Sequence, residues 1–282
     1  MRVSDLFIYP LKSARGIAIP SATIDAFGLI GDRRAMLIDP SGRFITQREL
    51  QDLARIDVQP GPSYLRLKME GKADIIVPPP HPDNRMDVNI WKSTVNASIA
   101  DAETNKALSA WLGRDVKMVF FDSFAKRIAN PAWAGSDTPV TFVDGYQILI
   151  TTTGSLKALN AALAAHGEGS VAMARFRPNI VIDCDEAWPE DRWAAIEVGG
   201  IRLDLVKPCD RCIMTTQDQK TGSRDVPNPI PAMGRVRMSA DRRVPGLLFG
   251  WNAVPRGEGS VMIGDTVTVI EKRPEGWAFK RR

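Results

Sequence analysis

Short apolar segments separated by turn-forming residues run through most of this chain and limit it to a mainly β fold. Apolar and polar residues alternate over residues 3–11, 18–24, 35–38, 44–46, 64–69 and 73–77, with Gly, Pro, Asn or Asp near their ends. A period of two is the pattern of a half-buried antiparallel strand. We predict a first sheet from these segments. Further strands are predicted over residues 116–121, 147–152, 177–183, 201–206, 212–216 and 261–270.

Two segments instead have the spacing of an amphipathic helix. Leu108, Trp111 and Leu112 lie three and four residues apart, and Gly113 can cap the end, which predicts a helix over residues 101–112. A second helix is predicted to open at Ser155, because the leucines that follow share one face. The expected fold class is therefore mainly β with a few helices (α+β).

The domain organisation is predicted from composition along the chain. Residues 122–139 are rich in Ala, Asn, Pro, Ser and Gly and form the best candidate boundary. We expect a first domain over residues 1–122, a second, barrel-like domain over residues 123–275 and a basic tail over residues 276–282. Residues 271–282 hold five basic and two acidic residues, and we expect them to form a solvated terminus.

Composition excludes several classes of protein. The 282 residues are 44% hydrophobic and 25% charged, as in an ordinary globular protein rather than a disordered or fibrous one. A net charge of +4 is too small to imply a nucleic-acid partner. No segment of the sequence approaches the roughly 18 apolar residues of a membrane span. The acidic Asp5 lies where a signal peptide would need its apolar stretch. We expect a cytoplasmic protein with no nucleic-acid and no membrane partner.

The densest chemical signal is the string Lys-Pro-Cys-Asp-Arg-Cys at residues 207–212, which we expect to begin as a polar turn and run into a strand. The pair Cys209 and Cys212 could be half of a zinc site, a redox dithiol or two ordinary buried cysteines. Alternatively, one thiolate could bind a soft metal carried by a cofactor, helped by the positive charges of Lys207 and Arg211. His81 and His166 are expected at the surface without a catalytic role, and Cys184, among acidic residues, is expected to be inert.

Four further strings accompany this one in order along the chain. They are Tyr-Pro-Leu-Lys-Ser at residues 9–13, Gly-Asp-Arg-Arg at 31–34, Arg-Phe-Arg-Pro-Asn-Ile-Val-Ile at 175–182, and Phe-Gly then Ile-Gly-Asp at 249–250 and 263–265. Together with the cysteine string, they resemble the MOSC family, which includes the C-terminal domain of molybdenum cofactor sulfurases and amidoxime-reducing molybdenum enzymes. The resemblance covers nearly the whole chain and implies a MOSC β-barrel preceded by a β-barrel-like N-terminal domain.

The resemblance also implies the cofactor and the residues that hold it. The family binds the molybdenum cofactor (Mo-molybdopterin), a pterin that holds molybdenum through a dithiolene and carries a phosphate. Cys212 matches the catalytic metal ligand, and Cys209 is expected to shape the turn. The residues that match cofactor-binding positions are Lys12, Ser13, Arg33, Arg177 and Asn179. Two more are predicted to bind the cofactor: Arg211, which precedes the ligand, and Asp144, which lies where the family has a cofactor-side loop, although the pattern there departs from the family's and a turn aspartate is the alternative.

The implied function is reduction of an N-hydroxylated (N-oxygenated) small molecule by oxygen-atom transfer at a cysteine-ligated molybdenum centre. Electrons would come from a separate electron-donor protein of the ferredoxin, flavodoxin or cytochrome b5 type, because no cysteine follows Cys212 to hold an iron–sulfur cluster. The alternative is a molybdenum cofactor carrier or sulfur-transfer accessory protein. A complete sulfurase would need an additional domain that binds pyridoxal phosphate, and we expect none here.

Overall fold

The computed structural model describes residues 1–280 and confirms a mainly β fold with a few helices. The strands before residue 122 are β1 (Arg2–Ile8), β2 (Ile17–Ile19), β3 (Ser21–Asp25), β4 (Gly28–Leu29), β5 (Ala35–Ile38), β6 (Asp57–Pro60), β7 (Leu65–Lys68), β8 (Ile75–Val77), β9 (Arg85–Ile90), β10 (Ser93–Ile99) and β11 (Lys117–Phe120). Those after it are β12 (Ile148–Thr152), β13 (Ile180–Asp183), β14 (Trp193–Val198), β15 (Ile201–Asp210), β16 (Leu248–Pro255), β17 (Gly259–Met262) and β18 (Val267–Lys272). The helices are α1 (Ala102–Leu112), α2 (Pro131–Ala134), α3 (Thr153–Ala164) and α4 (Ile230–Val236).

The largest sheet combines strands from both ends of the described chain. Its order is β18-β14-β15-β16-β12-β13-β1-β2, with β1 antiparallel to β13. Strand β17 likewise pairs with β3 in a second sheet, β17-β3-β4. Residues from the two predicted domains therefore share two sheets, and the boundary at residues 122 and 123 stays a prediction.

Two smaller sheets, β5-β11-β10-β9 and β6-β7-β8, belong to the first part of the chain. Helix α1 packs beside them, with Leu108 and Leu112 buried in the same apolar cluster as Leu37 and Leu67. The side chain of Asp101 accepts a hydrogen bond from the Thr104 N–H, and Gly113 adopts a left-handed φ of 64°. Both ends of α1 are therefore those predicted from the sequence.

The predicted strand over residues 212–216 is wrong. Strand β15 extends through the first part of the cysteine string to Asp210, and a 3₁₀ turn over Ile213–Thr216 follows, so the order of turn and strand is reversed. The hydroxyls of Thr215 and Thr216 donate to the carbonyls of Cys212 and Ile213, at 3.0 and 2.8 Å. These local bonds occupy backbone groups that a strand would need.

Other differences have equally local causes. The predicted strand over residues 18–24 divides into β2 and β3 at Pro20, which lacks the N–H that a strand interior needs. Helix α3 begins two residues before Ser155, because the side chain of Thr152 caps it. The hairpin of β9 and β10 and the short helix α4 were not predicted. His81 and His166 are exposed, as expected.

Most residues from 271 to 280 are exposed, as expected for a solvated terminus, but some of their side chains pack against the protein body. Residues 281 and 282 lie outside the described part. The Trp277 ring packs edge-to-face on Trp251, with centroids 5.7 Å apart, and its Nε1 donates to the Ser239 hydroxyl at 3.1 Å. The Arg237 guanidinium lies 3.9 Å from the Phe279 ring centroid. Aromatic residues in the basic segment thus attach it to the protein body. No helix among residues 1–280 is long and apolar enough to cross a membrane.

Candidate active site

One cavity of about 370 Å³, here called the site cavity, collects every residue predicted for the site. Its walls include the segments that follow β1 and β4, the end of β15 with the residues after it, and the segments that precede β12 and β13. The predicted residues that line it are Lys12, Ser13, Arg33, Asp144, Arg177, Asn179, Arg211 and Cys212. Two halves of the chain therefore contribute to one space, while the roles of these residues stay predictions.

The charges of the site cavity favour an anionic ligand. Seven basic residues line it against two acidic ones, Asp144 and Asp210. Lys12 is only 4% exposed and Arg177 only 8%. Burial lowers the pKa of Lys12 to about 8 and that of Arg177 to about 10, because the charged forms lose hydration. An anion bound here would compensate for that lost hydration.

The backbone around the site cavity is strained at several positions. Ser13, Arg33, Trp91 and Arg177 have φ values of 65°, 46°, 54° and 53°, in the left-handed region that side chains other than glycine rarely adopt. All four line the site cavity. Residues held in this region cost about 1–3 kcal/mol each and tend to concentrate at functional sites.

Tyr9 lies beneath two of the predicted arginines. The guanidinium carbons of Arg33 and Arg177 are 4.1 and 4.2 Å from its ring centroid. Its hydroxyl donates to the Pro178 carbonyl at 3.0 Å, and burial raises the pKa of Tyr9 to about 12, so the ring stays neutral at physiological pH. Tyr9 therefore gives the two cations a rigid apolar support without adding a negative charge.

Asn179 uses its side chain to hold protein groups in place. Its Oδ1 accepts hydrogen bonds from Arg33 Nη1 and from the Leu149 N–H, both at 3.1 Å, and its Nδ2 donates to the Phe7 carbonyl at 3.2 Å. Asp32 accepts a second bond from Arg33 Nη1 at 2.6 Å. Asn179 was predicted as a cofactor contact; in the structure its side chain orients Arg33.

Lys12, Asp144 and Trp91 form a small network in the cavity wall. Lys12 Nζ and Trp91 Nε1 both donate to Asp144 Oδ1, at 2.5 and 3.1 Å. Desolvation acts to raise the pKa of Asp144, but the charge and hydrogen bond of Lys12, with Arg48 and Trp91, hold this pKa below its usual range. Asp144 is therefore charged at neutral pH and can neutralise Lys12 until another anion competes for it.

The two cysteines of the string have different surroundings. Cys212 is exposed, whereas Cys209 is partly buried and its Sγ accepts a hydrogen bond from Arg211 Nη1 at 2.9 Å. Burial raises the pKa of the Cys209 thiol, although the charges of Arg211 and Lys207 act to lower it as expected. Lys207, the other cation of the string, forms an ion pair with Asp210 at 2.7 Å.

The surroundings also bear on the alternatives for the cysteine pair. Within residues 1–280, no group of three or more His, Cys, Asp or Glu could hold a metal ion. A structural zinc site needs four such ligands, so the geometry does not support one. Cys209 lies on a strand end and Cys212 opens a 3₁₀ turn, whereas thiols of low pKa in redox motifs commonly lie at helix N-termini. Cys184 is outside the cavity wall.

Several cavity-lining residues were missed by the sequence interpretation, among them Arg48, Trp91 and Arg175. Arg175 lies in the Arg-Phe-Arg string and could have been found there. Trp91 lies in the two-residue turn between β9 and β10, a hairpin whose buried Val88, Ile90 and Val95 do alternate along the sequence. Nothing in the sequence around Arg48 marks it, because it reaches the cavity only through the fold.

Comparison with known families matches both parts of the chain. Residues 137–268 match the family model of the MOSC domain, and residues 1–115 match that of the MOSC N-terminal beta barrel domain. The chain belongs to the MOSC family. Its two matched regions together span most of the sequence, and the site cavity of this MOSC protein takes residues from both.

Curated relatives of this MOSC protein are mitochondrial amidoxime-reducing components. Component 1 from Homo sapiens is 27% identical, and that from Mus musculus 26% identical; each alignment covers 95% of this chain and 82% of the relative. Component 2 from Rattus norvegicus is 28% identical over 94% of this chain and 82% of the relative. The similarity thus extends over nearly the whole chain at modest identity.

Proposed function

We propose that this protein is a molybdenum-cofactor-dependent oxidoreductase that reduces N-hydroxylated compounds. The observation that carries the proposal is the site cavity, in which buried cations and the exposed Cys212 thiol face one space in a MOSC-family chain. The similarity to amidoxime-reducing components supports the N-reductive chemistry.

The residues present fit the proposed cofactor. A phosphate group needs fixed positive donors, which Lys12, Arg33 and Arg177 supply from a largely buried wall. Arg211 Nε is buried without a hydrogen-bond partner, as expected for a donor that serves a ligand. Cys212 offers a soft sulfur ligand, which suits a sulfur-rich metal site. Because the metal of the cofactor would take only this one ligand from the protein, the site requires no cluster of metal-binding side chains.

When bound, the cofactor would supply the redox chemistry, a two-electron reduction that removes an oxygen atom from the substrate. The overall reaction converts an N–OH compound, two electrons and two protons into the corresponding N–H compound and water. The protein holds the phosphate end through Lys12 and Arg177 and presents Cys212 to the metal. Lys12 Nζ, whose pKa is about 8, retains a proton at neutral pH and so keeps the charge that attracts the phosphate.

The chain's own residues also keep this arrangement rigid. Tyr9 supports the guanidinium groups of Arg33 and Arg177, and Asn179 orients Arg33. Preorganised charges of this kind need little rearrangement when an anion binds. Electrons would arrive from a separate protein of the ferredoxin, flavodoxin or cytochrome b5 type.

The decisive experiment is to purify the protein from a host that makes the molybdenum cofactor. Molybdenum and pterin are measured per chain, and benzamidoxime reduction is assayed with an artificial reductant. We expect about one molybdenum and one pterin per chain, with benzamidine as the product. Protein that loads both but does not reduce benzamidoxime would instead be a carrier, and metal-free protein from such a host would overturn the cofactor assignment.

A further inference from the structure

A closed ring of hydrogen bonds lies behind the site cavity and joins three of its walls. Gln47 Nε2 donates to the Ser13 carbonyl at 2.6 Å, and its Oε1 accepts from Gln217 Nε2, also at 2.6 Å. Gln219 Nε2 donates to the Gln217 carbonyl at 3.2 Å. Arg177 Nη1 completes the ring, donating to Gln219 Oε1 at 3.0 Å and to the Ala14 carbonyl at 2.8 Å.

The ring connects segments that each carry a predicted cofactor residue. Ser13 follows Lys12, Arg177 belongs to the ring itself, and Gln217 closes the 3₁₀ turn that begins after Cys212. Gln47 and Gln217 are fully buried, and Gln219 is 6% exposed. None of the three glutamines lines the site cavity, so they can act on a ligand only through the residues that they hold.

Two features suggest a role beyond general stability. The ring holds Ser13 and Arg177, two of the residues with left-handed backbone, in the conformations that they adopt at the cavity wall. Amide side chains connect two parts of a site through directed bonds, whereas apolar residues of the same size would only fill the space.

We propose that Gln47, Gln217 and Gln219 are positioning residues, which set the Cys212 turn relative to the cations Lys12 and Arg177. The inference rests on the proposed function, in which the cofactor spans the distance between the cysteine ligand and the phosphate-binding residues. Loss of one bond in the ring frees the turn after Cys212 and displaces the thiol from the cations. A cofactor of fixed length can then no longer contact Cys212 and the cations at the same time.

The test compares Gln217→Met and Gln47→Met with Gln147→Met. Gln147 is a matched control because it is also buried with an unpartnered Oε1 and its Nε2 also donates to backbone carbonyls, but it lies outside the ring and the cavity wall. We expect each ring variant to retain at most a fifth of the wild-type molybdenum and pterin per chain. We expect the control to retain most of it, even if all three proteins lose similar amounts of thermal stability.

Two further measurements make the result independent of activity. The double variant Gln47→Met with Gln217→Met should lose no more cofactor than Gln47→Met alone, because that single variant already lacks the bond that Gln217 donates. The second measurement is the rate at which iodoacetamide alkylates Cys212 in cofactor-free protein, determined by mass spectrometry. This rate should change at least threefold in the ring variants and stay unchanged in Gln147→Met.

The outcomes separate this inference from the proposed function. If wild-type protein never contains molybdenum or pterin, the proposed function fails, and the alkylation rates still decide whether the ring positions Cys212. If wild-type protein loads normally and the ring variants load equally well, the proposed function survives and the positioning role is wrong. Unchanged alkylation rates in both ring variants would also overturn it.

Discussion

At the scale of single residues, Lys12 shows how burial changes chemistry in this protein. Its ammonium lies in the cavity wall beside Asp144, and burial lowers its pKa to about 8 despite that partner. An unfolded lysine keeps its proton to about pH 10.5. Between these values the unfolded chain binds more protons than the folded one, so this residue makes folding more favourable as pH rises.

The change Lys12→Met should remove that pH dependence. Between pH 8 and 10.5, wild-type protein free of cofactor should gain stability relative to the variant, because it releases a proton that the unfolded state retains. Urea unfolding at pH 7.5 and pH 10 measures the difference. Lys92→Met, at an exposed lysine in the β9–β10 turn, serves as a control. Parallel stability curves for wild type and Lys12→Met would contradict the assignment.

The two cysteines of the string should respond differently to substitution. Cys212→Ala removes the proposed metal ligand from an exposed position, so we expect turnover to fall by at least about 100-fold with little loss of stability. Cys209→Ala removes the acceptor for Arg211 Nη1 and should lower turnover less, by about tenfold or below. Benzamidoxime reduction and molybdenum content are measured for both. Equal loss in the two variants would favour a dithiol instead.

At the scale of elements, the start of helix α3 contacts an unusual buried carboxyl group from a 3₁₀ turn over Pro189–Arg192. Glu190 is fully buried, and its oxygens lie 2.8 Å from the Ser155 hydroxyl and 3.1 Å from that of Thr152. Burial raises its pKa to about 7, with Asp191 adding to the effect. The folded state therefore binds more protons than the unfolded state between pH 4.5 and pH 7, and this residue makes folding less favourable as pH rises.

The isosteric change Glu190→Gln should stabilise the protein above pH 7. It removes the cost of a buried carboxylate, which we expect to reach about 2–3 kcal/mol across the titration. Urea unfolding at pH 5 and pH 8 tests this. The free energy of unfolding of the variant should exceed that of the wild type only at the higher pH. The change Glu186→Gln, at an exposed carboxylate, is the control. A constant difference at both pH values would show that charge at Glu190 is not the cause.

At the scale of the whole molecule, the two ends of the chain hold the architecture together. Strand β1 joins the largest sheet beside β13, and the segment after β18 folds back over it. The guanidinium of Arg273 lies 3.9 Å from the Trp251 ring centroid and donates to the carbonyls of Trp193 and Leu205. Residues near both ends of the described chain therefore pack into the protein body.

The change Trp277→Ala should destabilise the whole protein by about 2 kcal/mol, because Trp277 packs on Trp251 and Trp133 while remaining partly exposed. Chemical denaturation measures the loss. The control Phe124→Ala removes a ring that is 66% exposed and should change stability by less than about 0.5 kcal/mol. Molybdenum content of the folded variant should be unchanged, and an unaltered unfolding curve would contradict the docking of this segment.

A fragment of residues 123–282 should not fold by itself. It lacks β1 and β3, so β13 and β17 would each lose a strand partner and expose unpaired backbone groups. We expect no cooperative thermal transition for the fragment, in contrast to the full chain under the same conditions. A sharp transition would show that the predicted second domain is independent of the first.

The sequence by itself determined the elements whose signals are local. Alternating apolar residues indicated most of the strands, and Asp101 and Gly113 defined both ends of α1, since caps act on neighbouring backbone groups. The strings shared with the MOSC family hold seven of the predicted site residues, and these line one cavity together with Asp144, which lies outside the strings. The 3₁₀ turn after Cys212 was missed, because bonds from Thr215 and Thr216 compete with the strand that the apolar pattern predicts.

Only the tertiary structure decided which strands share a sheet, which charges are buried and which groups orient them. Burial lowers the pKa of Lys12, and a hydrogen bond joins Gln47 to Gln217 behind the cavity. Both depend on neighbours that lie far apart in sequence. The pairing of β1 with β13 likewise joins distant segments. Desolvation and hydrogen bonding act over a few ångströms of space, so a linear pattern can indicate residues that line the cavity but not which of them are buried or which groups support them.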